Sequence, residues 1–225
     1  MDRRRHPRDT RHGRGRGRPT ASALAPHRAN NTVTWLLCDY GEVLSQVQPA
    51  GERAALVAAS GLGELAFWHA YWAHRPAYDR ADISVEEYWV AVLGGSATPR
   101  QVRALTALDV GSWLHANPAA MESATRAGRR GYRLAILSNA PIEVADAIDR
   151  APWLAGFQPR VFSCRLRLSK PNPAVYHEVL DELAAEPEEI VFFDDRPENV
   201  AAAKAVRIHA HLFTDASQLD QLPPV

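Results

Sequence analysis

Short apolar runs alternate along the chain with segments in which apolar residues recur every three or four positions. The runs predict β-strands at 33–38, 132–137, about 160–163, 189–193 and 208–213. The periodic segments predict helices at about 118–130, 142–150, 173–185 and 197–206. Continuous apolar strands are typical of a sheet that is covered on both faces. The pattern therefore predicts an α/β fold with a doubly wound parallel sheet and right-handed crossovers.

The stretch between the first two strands is too long for a single crossover helix and is itself helical in pattern. Helices are predicted there at 52–59, 64–74, 85–93 and 99–108. Ser84 and Glu87 have the spacing of a capping box at the start of the third of these helices. Most of the many aromatic side chains of this insertion are expected to form its core, with Trp68 packing on Trp72 at i, i+4 spacing.

Residues 1–31 differ in composition from the rest of the chain. They carry nine arginines against Asp2 and Asp9 and few large apolar side chains, which predicts a disordered Arg/Gly-rich tail. Such an arm can bind nucleic acid through phosphates, but it has no aromatic residues on which bases would stack. We expect a solvated tail, or a start codon placed too far upstream, rather than a nucleic-acid-binding arm.

The remaining composition is that of a soluble protein, and the chain has a formal net charge of zero. No apolar stretch approaches the length of a membrane span, and the arginine-rich start has no apolar signal segment. Cys38 and Cys164 fit neither a disulfide framework nor a zinc site, so we expect a reducing, cytoplasmic location. Of 26 basic residues only Lys170 and Lys204 are lysines, which indicates a GC-rich bacterial genome.

Polar side chains follow three of the predicted strands at the point where each strand ends. Ligands bind to parallel sheets at this edge, where the carboxyl ends of the strands meet. A lysine within Ser-Lys-Pro-Asn-Pro lies between the second and third of these strand ends in sequence. The sequence therefore predicts that six residues form one site that binds an anion: Asp39, Ser138, Asn139, Lys170, Asp194 and Asp195.

These segments, in this order, resemble the four motifs of the haloacid dehalogenase-like (HAD) hydrolase superfamily over about residues 32–215. The insertion resembles the helical cap of the subfamily that includes haloacid dehalogenases and many sugar-phosphate phosphatases. The resemblance implies a Rossmann-like catalytic core formed by residues 32–46 and 116–225. It also implies a cap domain at 47–115 that excludes water and selects the substrate.

The resemblance also implies a role for each site residue. Asp39 would be the nucleophile that forms an aspartyl-phosphate. Ser138 and the backbone N–H of Asn139 would bind the phosphoryl oxygens, and Lys170 would neutralise the acidic groups. The implied cofactor is Mg²⁺, held by Asp39, the Gly41 carbonyl and Asp195, with Asp194 supporting the metal shell or orienting Lys170.

One position departs from the pattern of HAD phosphatases. They carry a second aspartate two residues after the nucleophile, which acts as general acid and base, and here that residue is Gly41. General acid–base catalysis contributes about 10²–10⁴-fold, so its loss should matter most for poor leaving groups. Relatives with glycine here include proteins similar to sugar-1-phosphate phosphatases. Glu42 is a weaker candidate for the missing acid, because adjacent side chains in a turn point in different directions.

Simpler structural roles remain open for several of these residues. Asp39 can cap the following turn, Ser138-Asn139 can cap a helix, and the acidic pair can form an ion pair with Arg196. Asn199 stands where many relatives have a further metal-associated aspartate, and its amide oxygen can assist through water. His209 and His211 alternate on a late strand and are expected to be structural.

The leading hypothesis is a Mg²⁺-dependent phosphatase of a small phosphomonoester, such as a sugar phosphate. The alternatives are a metal-independent 2-haloacid dehalogenase and a catalytically weak binding module. We expect a small-molecule ester as the partner, rather than a membrane or nucleic acid, and a monomer or homodimer. The candidates for substrate selection are Trp72, Arg75, Tyr78 and Arg80. For Arg75 and Arg80, a plain surface charge is the more expected role.

Overall fold

A computed structural model describes residues 33–225, and the tail predicted at 1–31 lies outside the described residues. The strands form one five-stranded sheet, entirely parallel, in the order β3-β2-β1-β4-β5. They are Trp35–Cys38 (β1), Arg133–Ser138 (β2), Phe157–Phe162 (β3), Ile190–Asp194 (β4) and His209–Leu212 (β5). The predicted α/β fold is confirmed. The third strand begins earlier than predicted, because its first half, Phe-Gln-Pro-Arg, is not a continuous apolar run.

Helices precede, connect and cover the strands. In chain order they are Ala50–Ser60 (α1), Glu64–Asp79 (α2), Val85–Val92 (α3), Pro99–Ser112 (α4), Pro118–Arg129 (α5), Ile142–Asp149 (α6), Ser163–Leu166 (α7), Pro173–Leu183 (α8), Pro197–Ala205 (α9) and Ser217–Asp220 (α10). Single 3₁₀ turns lie at Pro152–Leu154 and Pro187–Glu189. No helix within residues 33–225 has both the length and the apolar character needed to cross a bilayer.

The sheet separates two apolar clusters, as expected for a doubly wound fold. Leu36 and Cys38 of β1 pack on one face with residues of α5 and α6, whereas Trp35 and Leu37 pack on the other face with residues of α8 and α9. Alternate residues of one strand thus enter opposite layers, which is why this strand is apolar throughout. Each layer fixes β1 from one side and so fixes the position of the residue that follows it, Asp39.

The strand order places a ligand-binding crevice beside β1. The chain winds from β1 to β2 and β3 in one direction and then returns to add β4 and β5 on the other side of β1. Loops diverge where the order reverses, and α/β sheets bind ligands in that crevice at the carboxyl ends of the strands. The ends of β1 and β4 flank the reversal here, and they carry Asp39 and Asp194.

Helices α1 to α4 occupy the insertion between β1 and β2 and pack around an apolar cluster of their own. Phe67, Tyr71, Tyr88 and Trp89 are fully buried in this cluster. The predicted capping box of Ser84 and Glu87 is confirmed at the start of α3. The helices therefore stabilise one another through side chains that the sheet does not contact.

Helix α2 is longer than its sequence pattern predicts. The expected end at residue 74 precedes Pro76, because a proline disfavours helical backbone in the residue before it. In the structure α2 continues through Pro76 to Asp79. The additional turn carries two charged residues, Arg75 and Asp79, to the cavity described below.

Candidate active site

Asp39 ends the central strand β1 and begins an irregular turn over Tyr40–Leu44. Its Oδ1 accepts the Tyr40 backbone N–H at 2.6 Å, so the side chain does cap the turn. The turn is not regular helix, since Glu42 has a left-handed φ of 58°. Capping and chemistry are compatible here, because Oδ2 of Asp39 accepts no hydrogen bond from any residue in the range 33–225.

Lys170 joins Asp39 to the end of β4. Its Nζ lies 2.8 Å from Asp39 Oδ1 and 2.7 Å from Asp194 Oδ2, and it donates a third hydrogen bond to the Leu137 carbonyl at 2.9 Å. All three donor positions of the ammonium are used, and the side chain is almost completely buried. The three strand ends of β1, β2 and β4 are thus connected through one cation.

Burial and charge set the protonation of this group of residues. Burial opposes the charged form of Lys170, but Asp39 and Asp194 outweigh it and hold the pKa of the ammonium above its ordinary value. Burial raises the pKa of Asp39 to about 7; Lys170 opposes this rise and Asp194 adds to it. A cation near Asp39 would favour its carboxylate form.

Asp194 has no free oxygen within the described part of the chain. Its Oδ2 faces Lys170, and its Oδ1 accepts the Arg196 backbone N–H and the Asn199 side-chain Nδ2, each at 2.9 Å. This arrangement favours the role of orienting Lys170 over that of supporting a metal. Asn199 contributes its amide nitrogen here. Arg196 contributes its backbone, and no ion pair of Arg196 with the acidic pair is found in residues 33–225.

Asp195 differs from its neighbour. Its carboxylate is half-buried and has no hydrogen-bond partner in the described residues. Burial raises the pKa of Asp195, and the negative charge of Asp194 raises it further. Oxygens of Asp39, Asp194 and Asp195 lie within 4.8 Å of one another, and no other cluster of potential ligands in residues 33–225 is as close. The free oxygens of Asp39 and Asp195 are the hard ligands that Mg²⁺ prefers, so the residues fit this ion.

Ser138 and Asn139 end β2 on the other side of Asp39. The Ser138 side chain is buried, lines the cavity and forms no hydrogen bond with a described residue, so its hydroxyl is available to a ligand. The side chain of Asn139 makes two hydrogen bonds of 2.9 Å with the backbone of Lys170 and holds that loop against β2. Neither residue caps α6, whose N-cap is Pro141.

The predicted residues open on one cavity of about 580 Å³, except for Asp194, which is fully buried behind it. Asp39, Gly41, Ser138, Lys170 and Asp195 line it from the sheet edge. Residues of α2 and Trp113, which follows α4, line it from the insertion. The structure therefore brings together the residues predicted from separate motifs, and it adds a wall formed by the insertion.

Gly41 faces the aromatic side chain of Trp113. A Cβ at position 41 would lie 3.6 Å from Cζ3 of Trp113, which is ordinary van der Waals contact, and the φ of Gly41 is −63°. The backbone thus does not require glycine here. Glu42 also lines the cavity but is exposed.

Two of the predictions about the insertion are wrong. Arg75 is not a surface charge; it is only 5% exposed. Trp72 does not pack in the core with Trp68; it is 42% exposed and lines the cavity. The core face of α2 is set by Phe67 and Tyr71, and Trp72 follows Tyr71 by one position, a rotation of about 100° around the helix.

Arg75 is buried because it carries two ion pairs. Its Nε donates to Asp79 Oδ1 at 2.7 Å, and Nη1 lies 3.1 Å from Asp109 Oδ2 and also donates to the Tyr71 hydroxyl. Tyr71 in turn donates to Asp109 at 2.5 Å. Burial raises the pKa of Asp79, and the guanidinium of Arg75 opposes that rise.

The other two candidates for substrate selection have partners of their own. Tyr78 is buried and donates to Glu143 on α6 at 2.7 Å, so it connects the insertion to the sheet layer. Arg80 lines the cavity but pairs with Asp82 at 2.8 Å. His211 stacks on Phe193, which agrees with a structural role.

Asp79 and Trp113 are among the residues of the cavity wall that sequence reasoning missed. Asp79 lies beyond the predicted end of its helix, although its i, i+4 spacing from Arg75 is a signal for an ion pair on a continuing helix. Trp113 directly follows α4, and nothing in its neighbouring residues indicates that its ring reaches Gly41.

Comparison with known proteins identifies the family. The model of a family described as haloacid dehalogenase-like hydrolase matches residues 17–207, most of the chain. The chain belongs to the haloacid dehalogenase-like hydrolase family. It is therefore an enzyme of the HAD-like hydrolase class, as the order of its motifs predicts.

Individual relatives match only parts of the chain. Bifunctional epoxide hydrolase 2 of Sus scrofa is 34% identical over 80 residues, which are 33% of this chain and 14% of that protein. The phosphorylated carbohydrates phosphatase of Thermotoga maritima is 30% identical over 96 residues, which are 42% of this chain and 44% of that protein. The chain thus spans less than half the length of either curated relative.

A solved structure extends the likeness to the whole fold. It is a HAD family enzyme of Bacteroides thetaiotaomicron in complex with magnesium and inorganic phosphate, with a TM-score of 0.65 and 16% identity. The match covers 83% of this chain and 98% of that chain. At this identity the likeness establishes the HAD fold, and the chemistry of the present chain has to be argued from its own residues.

Proposed function

We propose that this HAD-like hydrolase is a Mg²⁺-dependent phosphatase of a small phosphomonoester, with Asp39 as the nucleophile. The observation that supports this most strongly is the buried Lys170 ammonium, 2.8 Å from Asp39 and 2.7 Å from Asp194 at the edge of the cavity. A phosphate dianion that approaches a carboxylate meets strong repulsion. A fixed positive charge beside that carboxylate lowers this barrier.

The first step uses the carboxylate of Asp39. Lys170 and the Tyr40 N–H hold this carboxylate in place through Oδ1, so that one of its oxygens can attack phosphorus while the other would hold Mg²⁺. The bond between Asp39 and phosphorus forms as the bond from phosphorus to the ester oxygen breaks. The departing alkoxide takes its proton from solvent, because Gly41 offers none. Ser138 Oγ and the Asn139 N–H would donate to the phosphoryl oxygens during the transfer.

The second step regenerates the enzyme. Water attacks phosphorus, the bond to Asp39 breaks, and inorganic phosphate leaves with the proton balance taken up by solvent. Splitting the hydrolysis in this way replaces one difficult displacement with two easier ones. Lys170 remains paired with Asp194 throughout, so its position does not depend on the charge of Asp39.

Asp39 and Asp195, with the Gly41 carbonyl, are the residues that would hold Mg²⁺. When bound, the ion withdraws charge from the phosphoryl oxygens and offsets repulsion at the nucleophile. Asp195 supports this assignment because its carboxylate has no protein partner in residues 33–225, although burial and Asp194 both disfavour its charge. A half-buried, unpaired carboxylate beside two others is costly without a cation.

The missing acid at Gly41 bears on the substrate. An alkoxide with a high pKa leaves slowly without a proton donor, whereas a phenolate or an anomeric sugar oxygen leaves readily. We therefore propose a phosphate ester with a comparatively good leaving group, such as a sugar 1-phosphate.

A metal-independent 2-haloacid dehalogenase is the second candidate, and Gly41 is the observation in its favour. Halide needs no proton as it leaves, so a dehalogenase does not need an acid at this position. In that reaction Asp39 forms an ester bond to carbon as the carbon–halogen bond breaks. Asp195 weighs against it, because a reaction without a cation has no use for an additional carboxylate near the nucleophile.

The experiment is a screen for phosphate release from p-nitrophenyl phosphate, sugar phosphates, nucleotides and small phosphorylated acids, with Mg²⁺ or with EDTA. We expect turnover that EDTA abolishes and that Asp39→Asn eliminates. Asp146→Asn, an exposed carboxylate paired with Arg165, is the matched control and should retain activity.

Two other outcomes would replace this proposal. Chloride release from 2-chloropropionate without added metal, together with no phosphate release, would establish the dehalogenase instead. Tight ligand binding with negligible turnover across the panel would indicate a binding module.

A further inference from the structure

We propose that Asp79 and the indole ring of Trp113 form a subsite for an uncharged, hydroxylated leaving group, such as a sugar or cyclitol ring. The inference rests on the phosphatase function proposed above and assigns the substrate class of that site. Both residues line the cavity that Asp39 also lines: Asp79 from α2, and Trp113 from the position after α4, with its ring next to Gly41.

Asp79 presents one unpaired carboxylate oxygen. The residue is 9% exposed, and its Oδ1 accepts from Arg75 Nε at 2.7 Å. Its Oδ2 accepts no hydrogen bond from residues 33–225, and Asp79 lines the cavity. Mostly buried carboxylate oxygens need donors, and an ionised carboxylate can only accept. A ligand hydroxyl is a donor that fits this requirement.

The position of Asp79 is fixed relative to the phosphoryl-binding edge. Its backbone carbonyl accepts from Ser163 Oγ at 2.5 Å, and the same Oγ accepts the Ala140 backbone N–H at 3.0 Å. Ala140 is only two residues beyond Ser138, the proposed phosphoryl ligand. A substrate whose phosphoryl group lies at Ser138 therefore finds Asp79 at a set distance, as a specificity residue requires.

Trp113 supplies an apolar surface in the same cavity. Its ring lies next to Gly41, and its Nε1 donates to the Tyr71 hydroxyl at 3.3 Å, which fixes the ring orientation. Rings with hydroxyl groups expose C–H groups on their faces and donors at their edges. The aromatic ring of Trp113 suits the C–H faces, and the carboxylate of Asp79 suits the hydroxyl donors. Apolar walls with a few placed polar groups are typical of small-molecule sites.

The charges on the insertion side of the cavity favour an uncharged leaving group. Arg75 is matched there by two carboxylates, Asp79 and Asp109, and Arg80 is paired with Asp82. These two arginines leave no unpaired positive charge on that side for a second anionic group, and Arg196, an exposed arginine that also lines the cavity, follows β4 on the sheet side. The ammonium of Lys170 lies on the sheet side, where the phosphoryl group would bind.

The test compares cyclohexyl phosphate with myo-inositol 1-phosphate and glucose 1-phosphate in Mg²⁺. Cyclohexyl and inositol phosphates share a six-membered ring and an alkoxide leaving group and differ in their hydroxyls. We expect kcat/KM for a hydroxylated ester to exceed that for cyclohexyl phosphate by about 10-fold or more. Asp79→Asn should reduce this preference by about 10-fold to 100-fold, which is the range for a hydrogen bond to a charged group. Comparing ratios between variants cancels differences in leaving-group pKa.

Matched variants separate binding from folding. Asp146→Asn removes an exposed carboxylate of α6 that is paired with Arg165, and it should leave the preference unchanged. Trp113→Leu should reduce the preference several-fold, whereas Trp113→Phe, which keeps an aromatic ring, should retain most of it. These two variants test the subsite even if Asp79→Asn does not fold.

The outcomes distinguish this inference from the function on which it rests. A wild-type enzyme that hydrolyses cyclohexyl phosphate as well as every hydroxylated ester overturns the subsite and leaves the phosphatase in place. Equal losses on all esters in Asp79→Asn also overturn it, because they indicate a structural role. No phosphate release from any of these esters or from p-nitrophenyl phosphate overturns both proposals.

Discussion

Lys170 Nζ lies 2.8 Å from Asp39 Oδ1, and this contact joins the end of β1 to the loop between α7 and α8, which is far away in the sequence. The ammonium is buried and has Asp194 as its second carboxylate neighbour. Without it, two buried carboxylates face each other with no compensating charge. Lys170 therefore contributes to folding as well as to the proposed chemistry.

Replacing the lysine should separate these two contributions. We expect Lys170→Met to abolish phosphate release and to lower the free energy of unfolding by about 3–5 kcal/mol, the usual cost of breaking a buried ion pair. Lys170→Met with Asp194→Asn should recover part of the stability and none of the activity. Urea unfolding in EDTA and a phosphate-release assay measure the two effects. A stable or active Lys170→Met protein would contradict this account.

The Arg75 cluster of the insertion should behave as a buried network. Arg75→Met leaves Asp79 and Asp109 without their cation, and we expect a loss of about 3–5 kcal/mol in the free energy of unfolding. Arg80→Met is the matched control, because the pair of Arg80 with Asp82 is about one-third exposed and should cost less than about 1 kcal/mol. Similar losses in the two variants would show that Arg75 is not a buried ion-pair centre.

Position 41 allows the missing acid to be introduced. Because the backbone of Gly41 suits any residue and a Cβ fits against Trp113, Gly41→Asp should fold. We expect it to raise kcat for alkyl phosphates relative to p-nitrophenyl phosphate by up to about 10²-fold, the lower range for a general acid. Gly41→Ala has the added Cβ without the carboxylate and should leave that ratio unchanged. A ratio that rises equally in both variants would exclude acid catalysis as the cause.

Asp220 should make the free energy of unfolding depend on pH in a defined direction. It accepts two hydrogen bonds of 2.8 Å from Arg126 on α5, and these hold its pKa at about 2. A pKa below the unfolded value of about 4 means that the stabilisation is present above pH 4 and is lost as the pH falls towards 2. Both side chains are more than one-third exposed, so solvent screens the pair and we expect a small effect on the free energy of unfolding.

The measurement is the difference in unfolding free energy between the wild-type protein and Asp220→Asn across this pH range. The difference should be largest near neutral pH and should vanish at about pH 2. If the difference is the same at both ends of the range, the ion pair with Arg126 does not account for it.

The sheet, and the position of the candidate site residues at its edge, could be predicted because both depend on local sequence. A buried parallel strand is apolar along its length, and the polar residue that ends it, such as Asp39 or Asp194, must lie at the carboxyl edge. Lys170 could be assigned to the same site because several acidic strand ends at one edge of a sheet require a positive charge nearby. The tail at 1–31 remains a prediction, and so do the domain boundaries at 46 and 116.

The wall formed by the insertion could not be predicted in the same way. Whether Trp72 faces the core or the cavity depends on one step of helix rotation, which α2 fixes through contacts with α3 and α4. Arg75 is buried because Asp109, from another helix, meets it in space. Asp79 was missed because Pro76 indicated an earlier helix end. Tertiary contacts overrode local propensity at each of these positions.

The central claim is that Asp39 attacks phosphorus, and trapping the intermediate tests it most directly. The enzyme is mixed with p-nitrophenyl phosphate and Mg²⁺, quenched in acid during turnover and digested, and the peptide that contains residue 39 is analysed by mass spectrometry. We predict one phosphoryl group on Asp39 and none in Asp39→Asn. Phosphate release with an unmodified Asp39 peptide, or with the phosphoryl group on another residue, would contradict the account.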